Sequence, residues 1–170
     1  SPLTPPLPHV IFYLYGKRRG PKPRRKRLDR SLFNPMNVLV IDGLGGGLGR
    51  QFILALRAVC PGADITAVGT NALASGAMLK AGADRAATGE NAVIVNCRYA
   101  DIIVGPVGIV IADSIWGEVT PAMALAVGQS RAKRILIPVN LCDNVIVGAS
   151  GIPMSKLVQS AAEAAAALLR

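Results

Sequence analysis

"VLVIDGLGGGLGRQFILAL", residues 38–56, sets five glycines within seven positions between an apolar run and a run of helical periodicity. The run "NVLVID" (37–42) is short, β-branched and continuously apolar, the pattern of a strand buried on both faces. After the glycines, Leu48, Phe52, Leu56 and Val59 recur at helical spacing, until "PG" at 61–62 ends the helix. Strand, glycine loop and helix in that order predict the opening of a βαβ unit.

The alternation continues downstream. "DITAVG" (64–69) is predicted to be a second strand, and "NALASGAMLKAGA" (71–83) a second helix with Asn71 as its cap and Gly82 as its stop. A short third strand is placed at 85–87, followed by a helix in "TGENAVIVNCRYA", with Thr88 in position to cap it. "DIIVG" (101–105) reads as a fourth strand, and "VGIVI" (107–111) as either its extension past Pro106 or a separate strand. In "TPAMALAVGQ", Thr120 with Pro121 behind it is a specific helix start. "RILIPV" (134–139), "NVIVG" (144–148) and a helix from about Pro153 complete the pattern. Strands separated by helices at this spacing predict a mostly parallel sheet with helices on both faces, a Rossmann-like α/β fold. Right-handed crossovers then gather the strand C-termini on one rim, where the loops near 42–50, 69–72, 87–91, 105–119 and 140–144 would meet a ligand.

Charge divides the chain in two. Nine of the 19 basic residues lie in residues 1–35 with a single acid, Asp29, so the net +9 belongs mostly to the leader and the remainder is close to neutral. The leader, with "SPLTPPLP" and "GKRRGPKPRRKRLDR", is too rich in proline and charge to bury a core, and is expected to be disordered. It reads as a solvated tail, or as upstream sequence outside the native protein, in preference to a nucleic-acid arm; weak contact with nucleic acid through it is all its charge predicts. Residues 36–170 are then one folded domain, with Met36 directly before the first strand.

"VIFYLY" (10–15) is too short to span a bilayer and its basic run follows it, the reverse of a secretory signal. Three cysteines, Cys60, Cys97 and Cys142, form no C-x-x-C pair, which argues against a disulfide framework or a zinc site. A cytoplasmic protein without membrane attachment is the expectation.

Within the loop, G-x-G-x-x-G fails because Leu48 occupies the third glycine position, whereas Gly43, Gly47 and Gly49 fit G-x-x-x-G-x-G. That spacing resembles the nucleotide loop of the short-chain dehydrogenase superfamily. Its chemistry is a turn of positive φ, a bare backbone and a helix N-terminus that offers N–H donors to a phosphate. A Walker loop is excluded, since no lysine follows and the loop ends "GRQ". The acid about 20 residues past the loop that usually holds a ribose is missing, because the second strand ends "VGTNA". Thr70 and Asn71 can hydrogen-bond a ribose there, and no arginine advertises a 2′-phosphate. The dehydrogenase Tyr-x-x-x-Lys pair is also missing, since Ile103 stands four residues after Tyr99.

The predicted binding residues are Gly43, Gly45, Gly46, Gly47 and Gly49 with Thr70, Asn71, Thr88, Glu90 and Asn91 from neighbouring loops. The cofactor is left open between NAD(P) and another nucleotide, and the partner is a small phosphorylated ligand. Glu90, Asp113, Glu118 and Cys142 are the candidates for catalysis should there be any, with Glu90 read first as a helix-terminal residue. His9, the chain's sole histidine, lies in the leader, so Ser-His and Cys-His nucleophiles and a histidine-ligated metal are excluded from the folded part. Trp116, in a glycine-flanked loop, is read as an anchor or as a stacking surface. The competing reading is a scaffold whose glycines serve packing, oligomeric through its Ala-rich C-terminal helix.

Read in order, "MNVLVIDGLGGGLGRQ", "VGTNALASGAMLKAGAD", "ATGENAVIVN", "ADIIVGPVGIVIADSIWGEVTPAMA" and "RILIPVNLC" resemble an uncharacterised bacterial family known as a domain of unknown function. The resemblance covers residues 36 to about 157 and implies a small Rossmann-like protein with a glycine-rich start. It implies no activity and no site residue.

Overall fold

The structure, a computed structural model, describes residues 36–139 and 144–170. Five strands alternate with helices: β1 (Asn37–Asp42), α1 (Gly47–Val59), β2 (Asp64–Gly69), α2 (Ala72–Lys80), β3 (Arg85–Thr88), α3 (Glu90–Asn96), β4 (Ile102–Pro106), α4 (Pro121–Gln129), β5 (Lys133–Ile137) and α5 (Met154–Leu168). All strand pairs are parallel and the order is β3-β2-β1-β4-β5. This is a Rossmann-like α/β fold.

The central strands earn their continuous hydrophobicity by facing two cores. Val38, Val40, Ile65, Ala67, Ile102 and Val104 pack on one face against Phe52, Ile53 and Leu56 of α1, Met78 of α2 and the alanines of α5. Their alternating neighbours Leu39, Ile41, Val68 and Ile103 face Val93 of α3 and Met123 and Val127 of α4. A two-residue side-chain period thus feeds both layers from one strand.

Helix ends follow local chemistry. The Asn71 carboxamide oxygen accepts from Ala74 N at 2.9 Å, so the expected α2 cap is present. At the other end Gly82 takes φ 110° while Ala83 N returns to Met78 O, the left-handed stop its position predicts. Thr120 caps α4 through Met123 N, with Pro121 in the first turn.

Three expectations need correction. "VGIVI" is no strand: Val107–Val110 form a single 3-10 turn that sinks Ile109 into the second core. "NVIVG" is no strand and joins no ladder of the described sheet, and Val145 and Val147 are 86% and 95% exposed. Thr88 does not cap α3, because Gly89, at φ 92°, stands in the cap position. Asn140, Cys142 and Asp143 lie outside the described residues. Within α5, Ala161, Ala162, Ala165 and Ala166 belong to the first core, whereas Ala164 and Ala167 are exposed.

The strand order changes direction between β1 and β4. α1 leaves β1 toward one face, whereas the segment after β4 leads to α4 on the other, so the loops 43–46 and 107–119 meet at the topological switch point, where open α/β sheets hold their ligands.

Candidate site at the switch point

The glycine loop begins where β1 ends in Asp42. That carboxylate is buried, and it accepts from Gly43 N at 2.8 Å and from Gly49 N at 2.7 Å. It therefore takes one of the orphan N–H groups of α1 for the protein itself, in place of a side-chain cap at Gly46. Burial pushes the Asp42 pKa above the usual carboxylate range; the amides of Gly49, Gly43 and Leu48 oppose that rise without cancelling it, and the negative charge of Glu118 adds to it.

The five loop glycines divide by what surrounds them. Gly43, Gly46 and Gly49 are buried. A Cβ on Gly43 would stand 2.7 Å from Glu118 Oε2 and 2.9 Å from Thr70 Oγ1, and one on Gly46 would stand 2.8 Å from the Ala74 backbone. A Cβ on Gly49 would collide with Met78 Sδ. Gly46 is also left-handed, at φ 69°. Gly45 and Gly47, by contrast, are exposed, have open space where a Cβ would stand, and do not adopt positive φ. The turn's other left-handed residue is Leu44, at φ 50°. The N–H groups of Gly45 and Gly47 have no hydrogen-bond partner among the described residues. Packing accounts for three glycines and leaves two bare, with their donors free.

Glu118 arrives from the loop after β4. Its Oε2 accepts from Leu44 N at 2.8 Å, from Asn71 Nδ2 at 3.1 Å and from the Thr70 hydroxyl. Burial works against the Glu118 charge, but the bonds from Thr70, Leu44 and Asn71 outweigh it and hold the carboxyl below its ordinary pKa. Asn71 completes the junction by donating to Leu44 O at 2.9 Å.

An unusual backbone delivers this carboxylate. Asp113, Ile115 and Trp116 take φ of 60°, 53° and 58°, and Gly117 follows at 82°. Left-handed φ is a true outlier for a β-branched residue such as Ile115, and each such position costs about 1–3 kcal/mol. The turn is held by Ser114, whose buried hydroxyl donates to Gly108 O, and by bonds from Gly117 N to Ser114 O and from Glu118 N to Ile115 O. Ile115 is buried against the second core, while Trp116 next to it is 87% exposed.

The remaining predicted residues sit around this junction. Thr88 Oγ1 lies 2.6 Å from Ser75 Oγ, which also contacts Asn71 O and Ala87 O. Glu90 accepts the Thr120 hydroxyl and so ties the start of α3 to the start of α4. Asn91 is exposed in the first turn of α3, and its side chain makes no hydrogen bond among the described residues. Asp113 is exposed at the turn, and Arg50 is exposed in the first turn of α1. Asp42 is the residue that sequence reasoning missed; a strand ending in an acid directly before the glycines is the signal for it. Thr70 and Asn71 are spoken for by Glu118, which the sequence offered only as a candidate for catalysis.

A groove of about 490 Å³ lies elsewhere, between α3 and α4 near Ile94, Cys97, Leu125 and Gln129. Burial pushes the Cys97 thiol up to about 11, so it is unreactive there. Among the described residues no three His, Cys, Asp or Glu side chains are grouped to hold a metal ion, and no helix is long and apolar enough to cross a membrane.

Fold and site define a Rossmann-like α/β protein with a glycine-rich loop at its topological switch point. The chain belongs to the family described as Domain of unknown function (DUF3842), whose model matches residues 37–170. None of the curated proteins compared with the chain matches it. A crystal structure of a dodecameric FMN-dependent Ubix-like decarboxylase from Escherichia coli O157:H7 is similar at 18% identity, over 76% of each chain, with a TM-score of 0.38. Likeness at that level bears on neither ligand nor assembly.

Proposed function

We propose that the protein binds a nucleotide or another phosphorylated small molecule over Gly45–Gly47 at the switch point. One observation carries this reading: the two glycines that packing and backbone conformation do not require are the two that are exposed and whose N–H groups have no partner among the described residues. A glycine in the first turn of a helix costs stability relative to alanine, and close approach of a ligand to the backbone is a reason to keep it. The free Gly47 N–H stands at the positive end of α1, where a phosphate oxygen is favoured. Arg50, exposed one turn along, is available to balance charge. Thr70 and Asn71 follow β2, and Thr88, Glu90 and Asn91 lie at the end of β3, on the same rim of the sheet as the glycine loop. The setting is the cytoplasm, in keeping with Cys60 and Cys97, which are free thiols.

Thermal shift with NAD, NADP, FAD, ATP, GTP and CoA at millimolar concentration tests the proposal. Stabilisation by at least one, weakened in Gly47→Ala, is expected. No stabilisation by any of them would overturn it.

A further inference from the structure

Glu118 is better placed than a staple for the loop requires. Three donors, Leu44 N, Thr70 Oγ1 and Asn71 Nδ2, converge on Oε2, and that single oxygen fastens the carboxylate to the glycine loop and to the end of β2. Oε1 has no partner among the described residues, although a carboxylate has room for about four hydrogen bonds. The left-handed φ of Ile115 and Trp116 is costly, and strain of this kind clusters at functional sites. Gly117 and then Glu118 follow, the latter seated 2.7 Å from where a Gly43 Cβ would stand.

We infer that Glu118 Oε1 accepts a hydrogen bond from a ligand hydroxyl, so that the ligand of the glycine loop is a ribonucleotide whose ribose 2′- and 3′-hydroxyls are free. The inference rests on the nucleotide reading of the site. Thr70 and Asn71 stand at the end of β2, where an acid would ordinarily hold the ribose of a nucleotide seated on the loop after β1. In this chain those two side chains recruit a carboxylate from the loop after β4, so the missing acid is supplied from another part of the chain. An anionic acceptor beside the loop favours a ligand that brings hydroxyl donors. It disfavours a 2′-phosphate, whose charge would meet Glu118 with Asp42 close behind.

The test compares ATP with 2′-deoxy-ATP and NAD with NADP by calorimetric titration of the full chain, for the wild type and for Glu118→Gln. Glutamine retains an oxygen for the three loop donors and turns an NH2 group toward the ligand, so it reverses the hydrogen-bonding sense at Oε1 without removing the staple. Circular dichroism and thermal melting of the variant verify that its fold is retained. In the wild type, tenfold or greater preference for the nucleotide with free 2′- and 3′-hydroxyls is expected in at least one pair, and Glu118→Gln should bring that ratio near one. Binding of both members of each pair with equal affinity would overturn the role of Glu118 and leave nucleotide binding standing. So would a preference that survives in Glu118→Gln. If none of the four nucleotides binds, the nucleotide reading fails for these ligands and the ribose inference falls with it.

Discussion

Gly46 and Gly47 are adjacent and face opposite constraints. Gly46 takes φ 69° with the Ala74 backbone 2.8 Å from a would-be Cβ, so Gly46→Ala is expected to lose about 2–3 kcal/mol or more, through left-handed strain and a contact that cannot move aside. Gly47→Ala meets nothing and improves helix propensity, so its stability should be unchanged or higher by up to about 1 kcal/mol. Urea denaturation of the two variants decides the matter; an unfolded Gly47→Ala would mean that this glycine serves packing after all. The two acids of the site respond to pH in opposite directions. Asp42 has a raised native pKa, so the stability tied to its protonated form is present below its unfolded value and is lost as pH rises through the native one. Glu118 has a lowered native pKa, so its contribution is present above the unfolded value and is lost as pH falls through the native one. Denaturation of Asp42→Asn and Glu118→Gln across acidic to neutral pH should therefore show the first gaining on the wild type as pH rises and the second falling behind. At this scale the sequence was partly legible. Spacing singles out Gly43, Gly47 and Gly49, whereas the buried set is Gly43, Gly46 and Gly49, since a run of glycines does not reveal which member turns left-handed.

Elements show a second division, between the two rims of the sheet. On the rim away from the glycine loop, Arg57 of α1 donates to Pro61 O at 2.9 Å, Ala63 O at 2.6 Å and Gly82 O at 2.8 Å, and pairs with Asp84 at 2.8 Å. Burial works against the Asp84 charge, yet bonds from Ile65 N and Arg57 hold its pKa below the ordinary range. The planar fork of one guanidinium thus ties α1 to both ends of the β2–α2 unit. Arg57→Ala should lower unfolding free energy by about 2–3 kcal/mol, and Arg57→Lys should recover only part, as read by chemical denaturation at neutral pH. Most elements were legible because two signals agreed at each: apolar runs in β1, β2 and β4, and caps at Asn71 and Thr120. Residues 107–111 and 144–148 misled for a shared reason. A short apolar run marks burial or β-branching but does not state whether a strand partner awaits it. In the first case Ser114 folds back on Gly108 and makes a turn; in the second the valines stay in solvent. Delivery of Glu118 was hidden too, because nothing in "ADSIWGEVT" announces left-handed φ at Ile115 and Trp116.

For the whole molecule, charge and core are assigned to different stretches of the chain. The two hydrophobic cores draw their buried residues from Val38 to Ala166, the family match spans residues 37–170, and the excess positive charge lies in residues 1–35. Among the described residues, both cores and every partner of Asp42 and Glu118 named above come from residue 38 onward. A chain of residues 36–170 is therefore expected to melt within a few degrees of the full chain and to bind nucleotide with the same affinity. Polyanion affinity should separate the two, because phosphate neutralisation scales with the number of lysines and arginines and declines steeply with salt. The full chain should be held on heparin at low ionic strength and released as salt rises, whereas residues 36–170, near neutral in net charge, should pass through. A melting temperature lowered by many degrees, or a loss of nucleotide affinity on removing the leader, would show instead that the leader supports the fold or the site. Retention of the shortened chain would place the polyanion contact on the α/β domain, where Arg50 beside the glycine loop is the first cation to replace.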